Sequence, residues 1–167
     1  MMTLRCTQKV LNWCKWSPQE SDLPATTTLG DWYANLLFTK HHRLLLCTSE
    51  TSLLSVLIPL KDLKDIGVAL AEAVRRNLER HGVPANLVSA EISQMAPILI
   101  GKTKSRVVLG VMNDLMIGSK IYLGIRRQDL VTTENKLCET LLGPNGMKYP
   151  HEVAREKLQY WSRRFTH

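Results

Sequence analysis

The sequence predicts an α+β fold in one domain: a small, mostly antiparallel sheet packed by amphipathic helices. Three observations carry this. Residues 32–58 hold three short apolar runs joined by short polar turns, the pattern of an antiparallel meander. Directly after it, Leu63, Ile66, Leu70, Val74 and Leu78 recur at helical spacing. The length of 167 residues, with 44% hydrophobic and 22% charged residues, suits one globular unit that buries its core without staples.

In chain order, TLRCTQKV (residues 3–10) alternates well enough for a short strand. Residues 13–28 are polar, carry Pro18 and Pro24, and read as a loop. In WYANLLF, Trp32, Ala34, Leu36 and Phe38 share one face. RLLLCT and SLLSVLI are nearly continuously apolar, so that part of the sheet is expected to be covered on both faces. The helix over 61–81 takes Asp62 as N-cap and Gly82 as C-cap. Pro84 opens a short helix to about Ser93, and Ile98–Ile100 reads as a strand. From an N-cap at Ser105 a helix places Val108, Met112, Leu115 and Ser119 on one side. After Arg126 the pattern weakens. Residues 1–142 form the domain. Gly143–Gly146 is a turn, and Pro150 opens a final basic helix with Ala154, Leu158, Trp161 and Phe165 on one stripe.

The totals exclude several classes. The chain has no run of eighteen apolar residues, so no membrane span is expected. Its first residues have no signal-peptide pattern, which makes the cytoplasm the expected location. Cys6, Cys14, Cys47 and Cys138 contain no Cys-x-x-Cys pair and build neither a zinc site nor a disulfide framework. No metal and no cofactor are expected. The net charge of +7 is uneven: residues 1–83 carry +2 and residues 84–167 carry +5. Lys102, Lys104, Arg106, Lys120, Arg126 and Arg127 face only Asp114 between residues 95 and 127. Such a surface attracts polyanions, so nucleic acid or an acidic protein is the expected partner.

Several patterns bear on chemistry. APILIGKTKS (residues 96–105) satisfies a loose phosphate-loop pattern. Pro97 has no N–H to donate, and Ile98–Ile100 favours a strand where a phosphate cradle needs a loop. A softer reading survives: Lys102, Thr103, Lys104 and Arg106 surround a helix N-terminus, which favours anions. Arg76-x4-His81 has the spacing of a metal-independent ribonuclease class. It also ends an amphipathic helix, where cations are favoured by the helix dipole. His41-His42 at a hairpin tip point to opposite sides and chelate poorly. Asn113-Asp114 interrupts an apolar helix, as a structural hydrogen-bonding pair or as part of a site beside Lys102 or Arg106.

LRCTQKVL near the start, LGDWYANLLF at 29–38 and KTKSRVVLGVMND at 102–114 together resemble a family of uncharacterised prokaryotic proteins known only as a domain of unknown function. The resemblance covers about residues 3 to 125. It implies one compact α+β domain and brings no activity. The shared motifs include neither Arg76 nor His81, and the final helix lies outside them. They direct attention to Trp32, Asn35, Thr103, Arg106, Asn113 and Asp114. These residues either line a pocket for a base or small anion or serve the fold, with Trp32 in the core and Arg106 bridged to Asp114.

The sequence thus supports a non-enzymatic cytoplasmic binding or accessory protein that engages nucleic acid or a protein through its basic second half. One alternative is an enzyme acting on a phosphodiester, centred on Arg76 and His81 or on Arg106 and Asp114. Another is a module that self-associates through its sheet edge or last helix. The oligomeric state stays open.

Overall fold

A computed structural model describes residues 1–165. Five strands form one open mixed sheet: β1 (Met2–Cys6), β2 (Trp32–Phe38), β3 (Arg43–Ser49), β4 (Ser55–Pro59) and β5 (Ile98–Lys102), in the order β4-β3-β2-β1-β5. β2, β3 and β4 are the antiparallel meander that the alternation predicts. β1 joins it parallel to β2 and takes β5, also parallel, on its other side. The sheet is therefore evenly divided between the two kinds of pairing.

Helices cover both faces. One face presents Leu4, Cys6, Trp32, Ala34, Cys47 and Val56 to α1 (Gln8–Cys14), α2 (Ile66–Arg80), α3 (Ala85–Met95) and α6 (Pro150–Phe165). The other presents Tyr33, Leu37, Leu44, Leu46 and Leu57 to α4 (Arg106–Lys120) and α5 (Leu130–Cys138). The nearly continuous apolar runs of β3 and β4 follow from this double cover.

Several boundaries differ from the sequence reading. The first strand stops at Cys6. The Thr7 hydroxyl accepts from Val10 N–H at 3.5 Å and starts α1, where Val10 and Leu11 go into the core. α2 begins at Ile66 rather than residue 61. Asp65, not Asp62, caps it, taking Val68 N–H at 3.2 Å, and Leu60–Asp62 forms a separate 3-10 turn. α4 starts at the Ser105 cap as expected and runs on through a π-helical turn, Ile121–Ile125. That 20-residue stretch is apolar and long enough by composition to cross a bilayer. Here it packs Val108, Val111, Met112 and Leu115 onto the sheet. On α6, Ala154 and Leu158 belong to the core, whereas Trp161 and Phe165 are exposed.

α5 is absent from the sequence reading because its inner side is half polar: Thr133 and Glu134 are buried beside Leu137 and Cys138. Glu134 closes the sheet edge. It accepts from Leu57 N–H of β4 at 2.9 Å, from Asn77 Nδ2 at 2.7 Å and from Arg80 Nη2 at 2.5 Å. Asn77 Nδ2 and Cys138 Sγ both reach the carbonyl of Ser55, at 3.4 Å each. Pro59 ends the strand without an N–H. An edge that would otherwise template another strand thus has its Leu57 N–H and Ser55 carbonyl taken internally.

Candidate nucleic-acid interface

β1, β2 and β5 point their carboxyl ends the same way. At that end α1 leaves β1 toward one face and α4 leaves β5 toward the other. Adjacent parallel strands whose helices part in this way open a crevice between them. Beside it, against the end of β5, lies a cavity of about 350 Å³ lined by Arg5, Lys102, Lys104 and the segment Pro18–Asp22, which brings Glu20 and Asp22 into its wall.

Arg5 is held rigidly in its wall. Its Nε and Nη2 each lie 2.9 Å from Asp31 Oδ2, and Nη1 donates to the Lys102 carbonyl at 3.3 Å. Asp31 also takes Thr3 N–H at 2.8 Å, so this buried pair is hydrogen-bonded on both sides. Gly101 makes room for it. A Cβ there would stand 2.7 Å from Thr3 Cγ2 and 3.5 Å from Arg5 Nη1. The glycine of the phosphate-loop pattern is therefore a strand residue that admits its neighbours' side chains, and no glycine-rich cradle is formed. Gln19 N–H adds to the outer side of β5 through the Ile100 carbonyl at 2.7 Å.

The stretch after β5 carries the exposed cations. Lys102 and Arg106 project to solvent with no carboxylate partner among the described residues, and Lys104 lies 3.6 Å from the exposed Asp22. Thr103 is half-buried between them. Ser105 caps α4 through Val108 N–H at 3.2 Å, and its own N–H donates to Tyr33 Oη at 3.2 Å. Burial pushes the Tyr33 phenol above its ordinary pKa, keeping it protonated. Asn35 stands at the same end. Its Oδ1 accepts from Thr7 Oγ1 at 3.0 Å and Leu36 N–H at 2.9 Å, and its Nδ2 faces Met116 Sδ at 3.3 Å. It ties the β1–α1 corner to α4.

The other sequence candidates lie elsewhere. Trp32 is fully buried on the α1/α2 face, with Nε1 unpartnered, and lines no surface. Asn113 and Asp114 are exposed about two turns along α4, and no ion pair joins Asp114 to Arg106 among the described residues. Arg76 and His81 do not converge. Five residues on a helix place them about 140° apart. Arg76 Nε donates to Glu72 Oε1 at 3.0 Å. His81 Nδ1 lies 2.8 Å from the Asn77 carbonyl, and its ring stacks on His151 at 4.8 Å. Burial lowers the His81 pKa, and the neighbouring His151 and Arg80 lower it further.

All four cysteines are free thiols. Burial pushes Cys6 and Cys138 up to about 12 and Cys47 well above its ordinary value, so none of these three offers a thiolate. Among the described residues no group of three or more His, Cys, Asp or Glu side chains is placed to hold a metal.

The β2–β3 hairpin tip, where the sequence offers His41-His42 only as a poor chelate, lies at this same end. Thr39 N–H donates to the His42 carbonyl at 2.9 Å, and His42 N–H to Thr39 Oγ1 at 3.1 Å. Two grooves flank it. One, about 510 Å³, takes in Arg43 and Lys61; the other, about 450 Å³, takes in Arg127. Both share Lys40, His41 and His42, and neither is lined by a carboxylate. Beside the tip, Trp13 of α1 meets Phe38 of β2 edge-on at 5.1 Å. The Arg43 guanidinium stands 5.7 Å from the Trp13 ring and 5.5 Å from the Phe38 ring. Only the Phe38–Arg43 cross-strand pairing was within reach of the sequence, through the hairpin register.

No curated protein and no solved structure matches the chain. The chain belongs to the family described as Domain of unknown function (DUF6933), whose model matches residues 3–153. The match runs past the 3-to-125 extent of the sequence resemblance and takes in α5 and the first residues of α6.

Proposed function

We propose that this family member is a non-catalytic nucleic-acid-binding protein that engages the phosphate backbone at the carboxyl end of β1, β2 and β5. The observation that carries the reading is the parting of α1 and α4 to opposite faces. It places Lys102, Lys104 and Arg106 beside a cavity of mixed charge, lined by Arg5, Glu20 and Asp22 as well, at the end where open α/β sheets take their ligands. Lys102 and Arg106 are exposed with no carboxylate partner among the described residues, and the α4 N-terminus adds its partial positive charge. A phosphodiester enzyme centred on Arg76 and His81 finds less support, because the two side chains diverge. Self-association through β4 finds less support because Glu134, Asn77 and Pro59 occupy that edge.

Fluorescence anisotropy with labelled single- and double-stranded RNA and DNA tests this, at about 50 and about 200 mM salt. Micromolar or tighter binding at low salt is expected, falling steeply as salt rises. Replacing Lys102, Lys104 and Arg106 by Gln together is expected to flatten the salt slope by about 0.7 to 0.9 per lost phosphate contact. Absence of binding at low salt overturns the reading and turns the search to an acidic protein partner.

A further inference from the structure

Trp13 and Phe38 are large aromatics left at the surface, 49% and 38% exposed, from two different elements. They are held in a fixed mutual geometry, and Arg43 supplies a cation over both rings. Phe38 and Arg43 are a cross-strand pair, so the hairpin register itself fixes that cation beside the ring. Lys40, His41 and His42 stand at the adjoining tip, with Lys61 and Arg127 in the flanking grooves. Exposed aromatics interleaved with cations, and no acid among them, match one ligand chemistry: an unpaired base for the ring and a phosphate for the charge. A duplex hides its base faces in the stack, so the aromatic pair is of use only to a single strand. Lys102, at the end of β5, is level with Ala34, so Phe38 stands two strands across, about 10 Å, and four residues farther along, about 13 Å. A single strand that stacks a base on Trp13 can therefore continue over the α4 N-terminus.

We infer that Trp13, Phe38 and Arg43 form a base-stacking platform and that the ligand is single-stranded nucleic acid, its phosphates taken by the hairpin-tip cations. This rests on the nucleic-acid reading above and sharpens it.

The test compares the full chain with Trp13→Leu and Trp13→Phe. The ligands are a labelled single-stranded RNA, a single-stranded DNA of the same sequence and the matching DNA duplex, all at one low salt. Trp13→Leu is expected to weaken single-strand binding about ten-fold or more while leaving duplex binding and the salt slope unchanged. Trp13→Phe is expected to recover most of the loss. The RNA and DNA arms show which backbone is preferred. Photo-crosslinking of a 4-thiouridine RNA to the wild-type protein gives a readout independent of any variant, and adducts are expected on peptides holding Trp13 or Phe38. Unchanged single-strand affinity in Trp13→Leu, adducts confined to other peptides, or a preference for duplex overturns the platform while leaving backbone binding standing. If the wild type binds none of the three ligands, both readings fall.

Discussion

The outer edge of β4 and the carboxyl end of the sheet use charge in opposite ways. At β4 a buried carboxylate, Glu134, gathers a backbone N–H, an amide and a guanidinium, and the outward Leu57 N–H and Ser55 carbonyl both find partners within the fold. At the carboxyl end, Lys40, Arg43, Lys102, Arg106 and Arg127 project without a carboxylate partner among the described residues. Arg5 is tied down there by Asp31, which sits behind it in the wall, and Lys104 lies 3.6 Å from the exposed Asp22. Charge at the first region closes the fold. Charge at the second is left free for something outside it.

The sharpest way to break this contrast is at the closed edge. Glu134→Ala leaves Leu57 N–H unpaired, takes from Asn77 its shortest hydrogen bond and leaves Arg80 without its carboxylate. Urea unfolding is expected to show a loss of about 3 kcal/mol, with nucleic-acid affinity of the folded fraction unchanged. A stability change near zero would mean that the network is ornamental. Gly101→Ala probes the crevice wall. Its Cβ drives into Thr3 and crowds Arg5, and a loss of about 2 kcal/mol is expected by thermal or urea unfolding, here accompanied by weaker binding. The combined Gln replacement at Lys102, Lys104 and Arg106 is expected to shift stability by no more than about 0.5 kcal/mol per site while lowering affinity.

The smallest expected effect is pH-dependent. His81 has its pKa lowered in the folded state, chiefly by burial. Its contribution is therefore fully present above the unfolded value of about 6.5 and is lost as pH falls from there through the folded value. Unfolding free energy should decline over that window by less than about 1.4 kcal/mol per pH unit from this group, and His81→Gln should flatten the decline. An identical pH profile in the variant would show that His81 is not the group responsible.

The meander was legible because alternation and short polar turns are local signals, and α4 because Ser105 and the Val108–Met112–Leu115 row mark its start and face. α5 was not legible, since a helix that buries Thr133 and Glu134 lacks an apolar stripe. The parallel addition of β1 and β5 joins segments nearly a hundred residues apart, which no local pattern encodes. The same limit applied to the site. Lys102, Thr103, Lys104 and Arg106 are contiguous in sequence and are found together. Trp13, Phe38 and Arg43 come together only when α1 packs beside the hairpin. Trp32 already shared a face with Ala34 and Leu36 in the alternation, and that face is the core.

The most direct test of the central claim is amide hydrogen exchange on the full chain, with and without a saturating single-stranded oligonucleotide. The account predicts added protection in peptides covering residues 38–43 and 102–106, with β4 and the His81–His151 contact unchanged. Protection confined to β4, α2 or α6, or no change anywhere, would contradict it.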